Sequence, residues 1–432
     1  MKIRACNLNL ECDDSYEVDL TNSFNLKEIS GSILLEILVT PKFALSSFCD
    51  IFIDNKFAFR QYLMPKVKGK RLINLSHLNE KNNISIKLHG LKLAKNTGTI
   101  KVFNTKEDLG RTLFIAPHPD DIEIGAFSLA YKTLDKFILT ISNGESVKKL
   151  KNSYLPNFYL DLEKASLDKG FLRAFNARTT SLIYNTPYSN IISLGYPDTK
   201  LFEMYKDLSK NFRDSYLPKE SVEDSPFGEN NIASVRKICN QDNFLSAILN
   251  TQDLTVSGER LIKELIQIIE EINPDSIVVT HPLMDSHLDH KAVGLFLGLA
   301  LKKLNHPNIK VFTYINHLPR EVDKYFVASK NLKEIPFLDL EHYDFKQKFL
   351  SVPLSNLEYR LKANSFLLIP DLNEKVKLKK ILKQKFISWL NHEAFYKANY
   401  YYLHDLKLNE EFFVISADEY IKLTQEISEK PN

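Results

Sequence analysis

The chain of 432 residues is poor in cysteine, lacks long apolar runs and carries little net charge. Its four cysteines are scattered and match neither a disulfide framework nor a zinc ribbon. No stretch approaches the roughly 20 apolar residues that span a bilayer. The first residues also lack the apolar core of a secretory signal. We therefore expect a cytoplasmic protein without a transmembrane segment, in a compartment where cysteines stay reduced.

The charge balance points to no charged polymer as partner. The formal net charge is +3, from 57 basic and 54 acidic side chains. So small an excess of positive charge gives no reason to expect nucleic acid or an acidic membrane as a partner. The lysine-rich run 375–385 is interpreted as a solvated helix face. Hydrophobic residues make up 44% of the chain, so we expect a globular protein, and the length suggests two or three domains.

The first part of the chain, residues 1–108, has the pattern of strands joined by turns. Segments 32–39, 49–53 and 83–88 are rich in β-forming residues and partly alternate between apolar and polar. No long helical period interrupts them. We predict an all-β, sandwich-like accessory domain. Carbohydrate binding and plain packing are equally open as its role.

Residues 109–320 change to alternating strands and helices. Helical periodicity covers 259–272, and short apolar strands are predicted at 112–116, 137–141, 277–280 and 311–315. This alternation predicts an α/β fold, a Rossmann-like open parallel sheet covered on both faces. In such sheets ligands bind at the carboxyl ends of the strands.

Two further segments are assigned less specifically. Residues 203–255 are polar and have few periodic apolar positions, so we predict an insertion beside the site. Residues 321–432 mix helix and short strands. We predict an α+β extension that packs on the catalytic domain.

The first chemically informative cluster follows the strand 112–116. His118, Asp120 and Asp121 stand where the sheet would present its site. The spacing of three lets His118 and Asp121 converge on one ion while Asp120 points elsewhere. Gly125 would let the following helix approach the sheet closely. The alternative is that both aspartates merely cap a helix.

The second cluster follows the strand 277–280. It contains His281, His287 and His290, three of only 11 histidines in the chain, and Asp289. His287 and His290 are three residues apart and can address one site. A chance group of surface histidines is the alternative.

Together the clusters supply the side chains of a hydrolytic metal site. Two imidazoles and one carboxylate with open positions suit a catalytic zinc ion. Asp120 and His287 are then a spare carboxylate and a spare imidazole. The former could take a proton from water, and the latter could stabilise an oxyanion or protonate a leaving amine.

The two clusters resemble the motifs of the PIG-L/LmbE-like deacetylases. The likeness runs from about Arg111 to the helix after His290, and it is carried by His118-Pro119-Asp120-Asp121 with Glu123 and Gly125, and by His287-Leu288-Asp289-His290. This resemblance implies a Rossmann-like fold and a zinc-dependent removal of acetyl groups from molecules that contain N-acetylglucosamine.

The resemblance also implies roles for individual residues. The implied zinc ligands are His118, Asp121 and His290, with one zinc per chain, although another divalent metal could serve. Asp120 would be the general base. His287 would steady the oxyanion or act as acid, and Asp289 would orient His287.

Substrate-binding residues follow from the same resemblance. Asp198, in the segment 194–198, matches a loop whose aspartate contacts sugar hydroxyls. An upstream arginine usually accompanies that aspartate. Arg173 is the preferred match and Arg178 the rival.

The chain departs from the family pattern next to the first motif. Ile122 follows the paired aspartates where a glutamate is usual, and Gly125-Ala126 stands in place of a glycine pair. Neither change touches the implied ligands.

The expected substrate is an N-acetylated amino sugar or glycoconjugate, and the synthesis of a surface polysaccharide is the expected setting. Two other functions stay open. A non-haem iron oxygenase also uses two histidines and one carboxylate, and a glycan-binding protein could carry an inactive deacetylase-like domain. The sequence does not indicate the oligomeric state, or whether the sugar is free, nucleotide-linked or lipid-linked.

Overall fold

The computed structural model describes most of the chain. The described residues are chiefly 10–26, 31–44, 46–76, 83–105, 108–147, 162–212, 255–304, 308–318, 345–373 and 404–429, with short segments such as 332–334 between them. No helix in these ranges combines the length and the apolar character needed to cross a membrane. The cytoplasmic location stays a prediction. The predicted insertion at 203–255 lies mostly outside the described residues.

Sixteen strands and eight α-helices are assigned within these ranges. The strands are β1 Asp14–Asp19, β2 Ser32–Pro41, β3 Ser47–Ile53, β4 Lys56–Leu63, β5 Gly69–Asn74, β6 Ile84–His89, β7 Leu91–Leu93, β8 Thr97–Phe103, β9 Thr112–Ala116, β10 Lys136–Ser142, β11 Ile191–Tyr196, β12 Ser276–Thr280, β13 Lys310–Tyr314, β14 Leu332–Lys333, β15 Lys348–Pro353 and β16 Asn409–Ser416. The helices are α1 Asp121–Gly125, α2 Phe127–Lys132, α3 Leu162–Ser181, α4 Leu201–Lys206, α5 Gly258–Ile272, α6 Leu288–Leu304, α7 Asn356–Leu368 and α8 Ala417–Glu429.

The chain divides into two compact units. The first contains residues 1–107, 317–367 and 371–414, and the second contains residues 108–316, 368–370 and 415–432. Most of the predicted carboxyl-terminal extension is therefore grouped with the amino-terminal β strands, and its last residues are grouped with the α/β unit. The division into domains at 1–108, 109–320 and 321–432 stays a prediction.

The first unit is built on two sheets that share one core. One sheet has the strand order β1-β8-β2-β5, with β7 also paired to β2, and the other has the order β14-β4-β3-β6. Alternate residues point inward, and Leu35, Ile37, Ile51 and Phe59 from both sheets are buried in one apolar cluster. The expected amino-terminal β domain is confirmed. Strand β14, which lies far along the chain, pairs with β4.

The second unit is built on five parallel strands in the order β11-β10-β9-β12-β13. Every residue of β9 and β12 is buried, as expected for strands covered on both faces. The apolar stripe of α5 is also buried. Ser257 caps this helix, because its side chain accepts a hydrogen bond from the backbone N–H of Arg260. The predicted α/β fold is confirmed.

The strand order places the site. From β9 the chain continues to β10 and β11 on one side, and it returns to β12 and β13 on the other. The crevice between the carboxyl ends of β9 and β12 is therefore the point where the winding reverses, and ligands bind at such points. Helix α6 begins at Leu288, so Asp289 and His290 lie in its first turn.

Candidate metal centre

The two histidine–aspartate clusters meet because their strands are neighbours. Strands β9 and β12 pair in parallel, with Leu113 opposite Ile277. The chain leaves β9 at Ala116, so His118 stands just beyond the sheet, and Asp121 is the first residue of α1. The second cluster follows the carboxyl end of β12, at the same edge of the sheet.

Three of the predicted ligand atoms form a nearly equilateral triangle. His118 Nδ1 lies 3.2 Å from His290 Nε2 and 3.4 Å from Asp121 Oδ2, and His290 Nε2 lies 3.3 Å from Asp121 Oδ2. All three side chains are buried. A tetrahedral ion bound at about 2.0–2.1 Å keeps its ligand atoms about 3.3 Å apart. The triangle therefore has the dimensions of one face of such a site.

Two buried residues hold His290 and Asp121 in this orientation. Asp285 Oδ2 lies 3.1 Å from His290 Nδ1 and also accepts a hydrogen bond from the backbone N–H of Asn316. The side-chain amide of Asn316 donates to Asp121 Oδ1 at 2.7 Å. A carboxylate that accepts a hydrogen bond from the ring nitrogen facing away from the metal site fixes the tautomer, so that the other nitrogen presents its lone pair to the site. Asp285 and Asn316 thus direct one atom of each ligand into the triangle.

The outer nitrogen of His118 faces two carboxylates. His118 Nε2 lies 3.3 Å from Asp198 Oδ1 and 3.5 Å from Asp289 Oδ2. The second oxygen of Asp198 accepts the backbone N–H of Ser146, and Asp289 Oδ2 accepts that of Thr199. These bonds hold both carboxylates against the imidazole. His118 Nδ1 therefore points toward the triangle.

The charges of the cluster favour a cation. Burial alone would lower the pKa of His118, but hydrogen bonds that its ring donates to the carboxylates of Asp121, Asp198 and Asp289 raise this pKa well above its ordinary value. Burial likewise opposes the raised pKa of His290, which follows from Asp121 and Asp285. Four carboxylates around two imidazoles leave negative charge that a divalent ion would balance. Donor types, distances and charge therefore all fit a divalent metal.

Asp120 forms an ion pair with Arg173. Asp120 Oδ1 lies 2.7 Å from Arg173 Nη2, and both side chains are buried. Asp120 occupies the position before α1, but its side chain makes no capping hydrogen bond. Gly144, at φ +61°, makes room for the guanidinium, since a Cβ there would lie 2.7 Å from Arg173 Cζ. Arg178, the rival match, lies instead over the Tyr188 ring at 4.9 Å.

His287 lies beside the triangle and is half-buried. Its ring centroid is 5.2 Å from that of His118 and 4.7 Å from that of His290. A ring nitrogen of His287 is within 4.8 Å of ligand atoms of both. Its backbone N–H donates to Asp285 Oδ1 at 2.9 Å. An imidazole in this position can contact a molecule bound at the triangle.

Asp289 and Asp198 both contact the outer nitrogen of His118. The contacts of Asp289 are with His118 and Thr199, so the structure does not bring it to His287, which it was expected to orient. Asp198 likewise contacts the outer edge of His118. The role of Asp289 toward His287 and the role of Asp198 toward a sugar stay predictions.

Sequence reasoning missed Asp285 and Asn316. Asp285 stands inside the second motif, and its buried position after a strand was the available signal. Asn316 follows the carboxyl end of β13, two residues beyond Tyr314. Gly125 gives it room, because a Cβ at Gly125 would lie 2.1 Å from Asn316 Oδ1. The expected close approach of the helix to the sheet is also made at Gly125, because the same Cβ would lie 2.5 Å from Tyr314 Cδ2 on β13.

We expect Asp285→Asn to weaken metal binding about 10- to 100-fold, the usual effect of removing an outer hydrogen-bond partner of a ligand. The neutral amide has only one accepting oxygen, so its NH2 group must face either His290 Nδ1 or the backbone N–H of His287, and the imidazole loses the carboxylate that fixes its orientation. Titration with zinc and a competing chelator measures the change. The matched control is Asp275→Asn, which alters an exposed aspartate that accepts the backbone N–H of Arg111 near the start of β9. Equal affinity in both variants would contradict the role of Asp285.

The parallel sheet with this cluster at its switch point defines an α/β protein with a candidate cation site. Residues 113–301 match the family model for PIG-L, the GlcNAc-PI de-N-acetylase. No curated protein matches the chain.

Several solved structures are similar to the chain at low identity. They include N,N'-diacetylchitobiose deacetylase from Pyrococcus horikoshii, with 13% identity, TM-score 0.37, and coverage of 73% of this chain and 86% of that one. The zinc-inhibited form of teicoplanin deacetylase Orf2 has 12% identity, TM-score 0.37 and coverage of 72% and 100%. The 4-carboxy-2-hydroxymuconate hydratase of Pseudomonas putida has 10% identity, TM-score 0.32 and coverage of 71% and 96%.

Proposed function

We propose that the α/β unit is a zinc-dependent hydrolase that removes the N-acetyl group from an amino sugar. The observation that carries this proposal is the triangle of His118, Asp121 and His290, with the buried carboxylate of Asp120 and the imidazole of His287 as additional groups. The PIG-L family match supports deacetylation as the reaction.

The protein residues divide the work of amide hydrolysis. A divalent ion held by the triangle would acidify water and polarise the acetyl carbonyl. Asp120 takes the proton of the attacking water, and its ion pair with Arg173 fixes the carboxylate in place. Arg173 therefore acts on Asp120 as well as in the sugar contact expected from sequence.

His287 serves the other side of the scissile bond. Its imidazole, beside the triangle, donates a hydrogen bond to the developing oxyanion or a proton to the leaving amine. The amine must leave as a neutral molecule, so the proton taken from water has to return to nitrogen. Asp120 accepts the proton from water, and His287 can donate a proton to the amine.

The substrate class rests on the family match. The name of the family model specifies an N-acetylglucosamine derivative. We propose an N-acetylglucosamine-like sugar in glycoconjugate or surface-polysaccharide synthesis, with Asp198 near its hydroxyls.

Acetate release tests the proposed function. Protein loaded with one equivalent of zinc is expected to release acetate from at least one N-acetylated glucosamine derivative in a panel of free, nucleotide-linked and lipid-linked sugars. Chelation should abolish the release, and added zinc should restore it. Oxygen consumption by the iron-loaded protein would support the oxygenase instead. Metal-independent glycan binding without turnover would support a binding protein.

A further inference from the structure

The lysine-rich segment, residues 374–390, presents an exposed apolar row. Its described residues 378, 381, 382, 385, 386 and 389 are helical. Leu378, Leu382, Phe386 and Trp389 are 72%, 58%, 55% and 71% exposed. Soluble proteins rarely leave a contiguous set of large apolar side chains in water without an interaction that covers it.

The four side chains share one face of the helix. Their spacing of four, four and three residues places them in a single row, roughly 16 Å long at the rise of an α-helix. The Phe386 and Trp389 rings are stacked with centroids 6.1 Å apart. One end of the row is therefore aromatic and the other end is aliphatic.

The same segment concentrates the positive charge of the chain. Its sequence contains six lysines and one glutamate, a net charge of +5, whereas the whole chain has +3, so the remaining residues sum to −2. The segment was expected to be a solvated helix face. The described positions show instead that an apolar row stands in solvent within this basic sequence, and the small net charge of the chain conceals it.

We propose that the lysine-rich segment binds the surface of an anionic lipid bilayer. Helical positions that place leucine, phenylalanine and tryptophan in one exposed row, within a sequence that holds six lysines, suit a helix that lies in the interface plane with its apolar side chains among the lipids. A second copy of this chain fits less well, because pairing the two rows would bring together two segments of +5 each. This inference does not depend on the proposed catalytic function.

Trp389 offers a direct test, because it is the only tryptophan in the chain. We expect vesicles of phosphatidylglycerol and phosphatidylcholine to shift its emission to the blue and to sediment the full-length protein. Vesicles of phosphatidylcholine alone should bind much less. Raising the salt concentration should weaken the binding, because salt screens the attraction between the lysines and the lipid headgroups.

Variants separate the two contributions. Leu382→Ser with Phe386→Ser should abolish vesicle binding through loss of the apolar contact. Lys379→Gln with Lys383→Gln should weaken binding about 25-fold, at about 5-fold for each lysine. The control is Leu134→Ser, which removes a leucine that is 95% exposed between α2 and β10 and should leave binding unchanged. Thermal unfolding checks that each variant folds.

Three results would overturn the proposal. The first is an unchanged Trp389 emission with anionic vesicles, and the second is wild-type binding by the Leu382→Ser, Phe386→Ser variant. The third is a dimer, formed without lipid, that this variant disrupts, because a second copy would then be the occupant of the row. Loss of acetate release alone would not affect this inference, and failed vesicle binding would not affect the proposed hydrolysis.

Discussion

His118→Ala is expected to abolish both metal binding and acetate release. The substitution removes one corner of the triangle and leaves two ligand atoms, which no longer define a site for a tetrahedral ion. It also leaves Asp198 and Asp289 without the imidazole that they face. We expect affinity for zinc to fall by more than the roughly 100-fold that losing an outer partner can cost.

Metal analysis of the purified variant, together with a zinc titration, measures this effect. His89→Ala is a matched control, since it removes a half-exposed imidazole that lies 3.2 Å from Asp50 in the first unit. That variant should bind one equivalent of zinc as the wild type does. Wild-type zinc affinity in His118→Ala would show that the triangle is not the metal site.

Asp120→Asn is expected to retain the metal and to lower kcat by about 10²- to 10⁴-fold, the usual contribution of a general base. The amide has nearly the same shape as the carboxylate. Its oxygen can still accept a hydrogen bond from Arg173, whose Nη2 lies 2.7 Å from Asp120 Oδ1 in the wild-type protein. It cannot take a proton from water. The ligands of the triangle are unchanged, so binding and catalysis should separate in this variant.

The measurement combines kcat for acetate release with zinc content. Asp135→Asn is the matched control, because it also disrupts an aspartate–arginine pair, the exposed contact of 2.8 Å between Arg111 and Asp135. Its kcat should be unchanged. Full activity in Asp120→Asn would remove Asp120 as the base, and loss of zinc would give it a role in holding the metal.

The strands that carry the site could be predicted because their sequences are unambiguous. Segments 112–116 and 277–280 are short, mostly apolar runs before a turn, and the structure buries every residue of β9 and β12. The meeting of the two motifs required one further fact, the adjacency of β9 and β12. That adjacency follows from the reversal of strand order, which periodicity does not encode.

The partners of the predicted residues could not be read from the sequence. Asp289 is two residues from His287 along the chain, yet its carboxylate faces His118, because α6 begins at Leu288 and the first turn of the helix directs it there. Asn316 reaches Asp121 across 195 positions, where spacing in the sequence is uninformative. Contacts of this kind depend on how strand ends and helix starts are arranged in space.

The domain boundaries show the same limit. The β pattern before residue 108 predicts a sandwich, but β14 at Leu332–Lys333 also pairs with β4. A two-residue strand has too little sequence to show a period. Its membership in the sheet is decided by tertiary pairing alone.

The central claim is that His118, Asp121 and His290 hold one divalent metal ion. Anomalous diffraction at the zinc edge, from crystals of the zinc-loaded protein, tests it most directly. The account predicts one strong peak at about 2.0–2.2 Å from His118 Nδ1, His290 Nε2 and an oxygen of Asp121. A zinc-loaded crystal with no peak at this triangle, or with its strongest peak on other residues, would contradict the account.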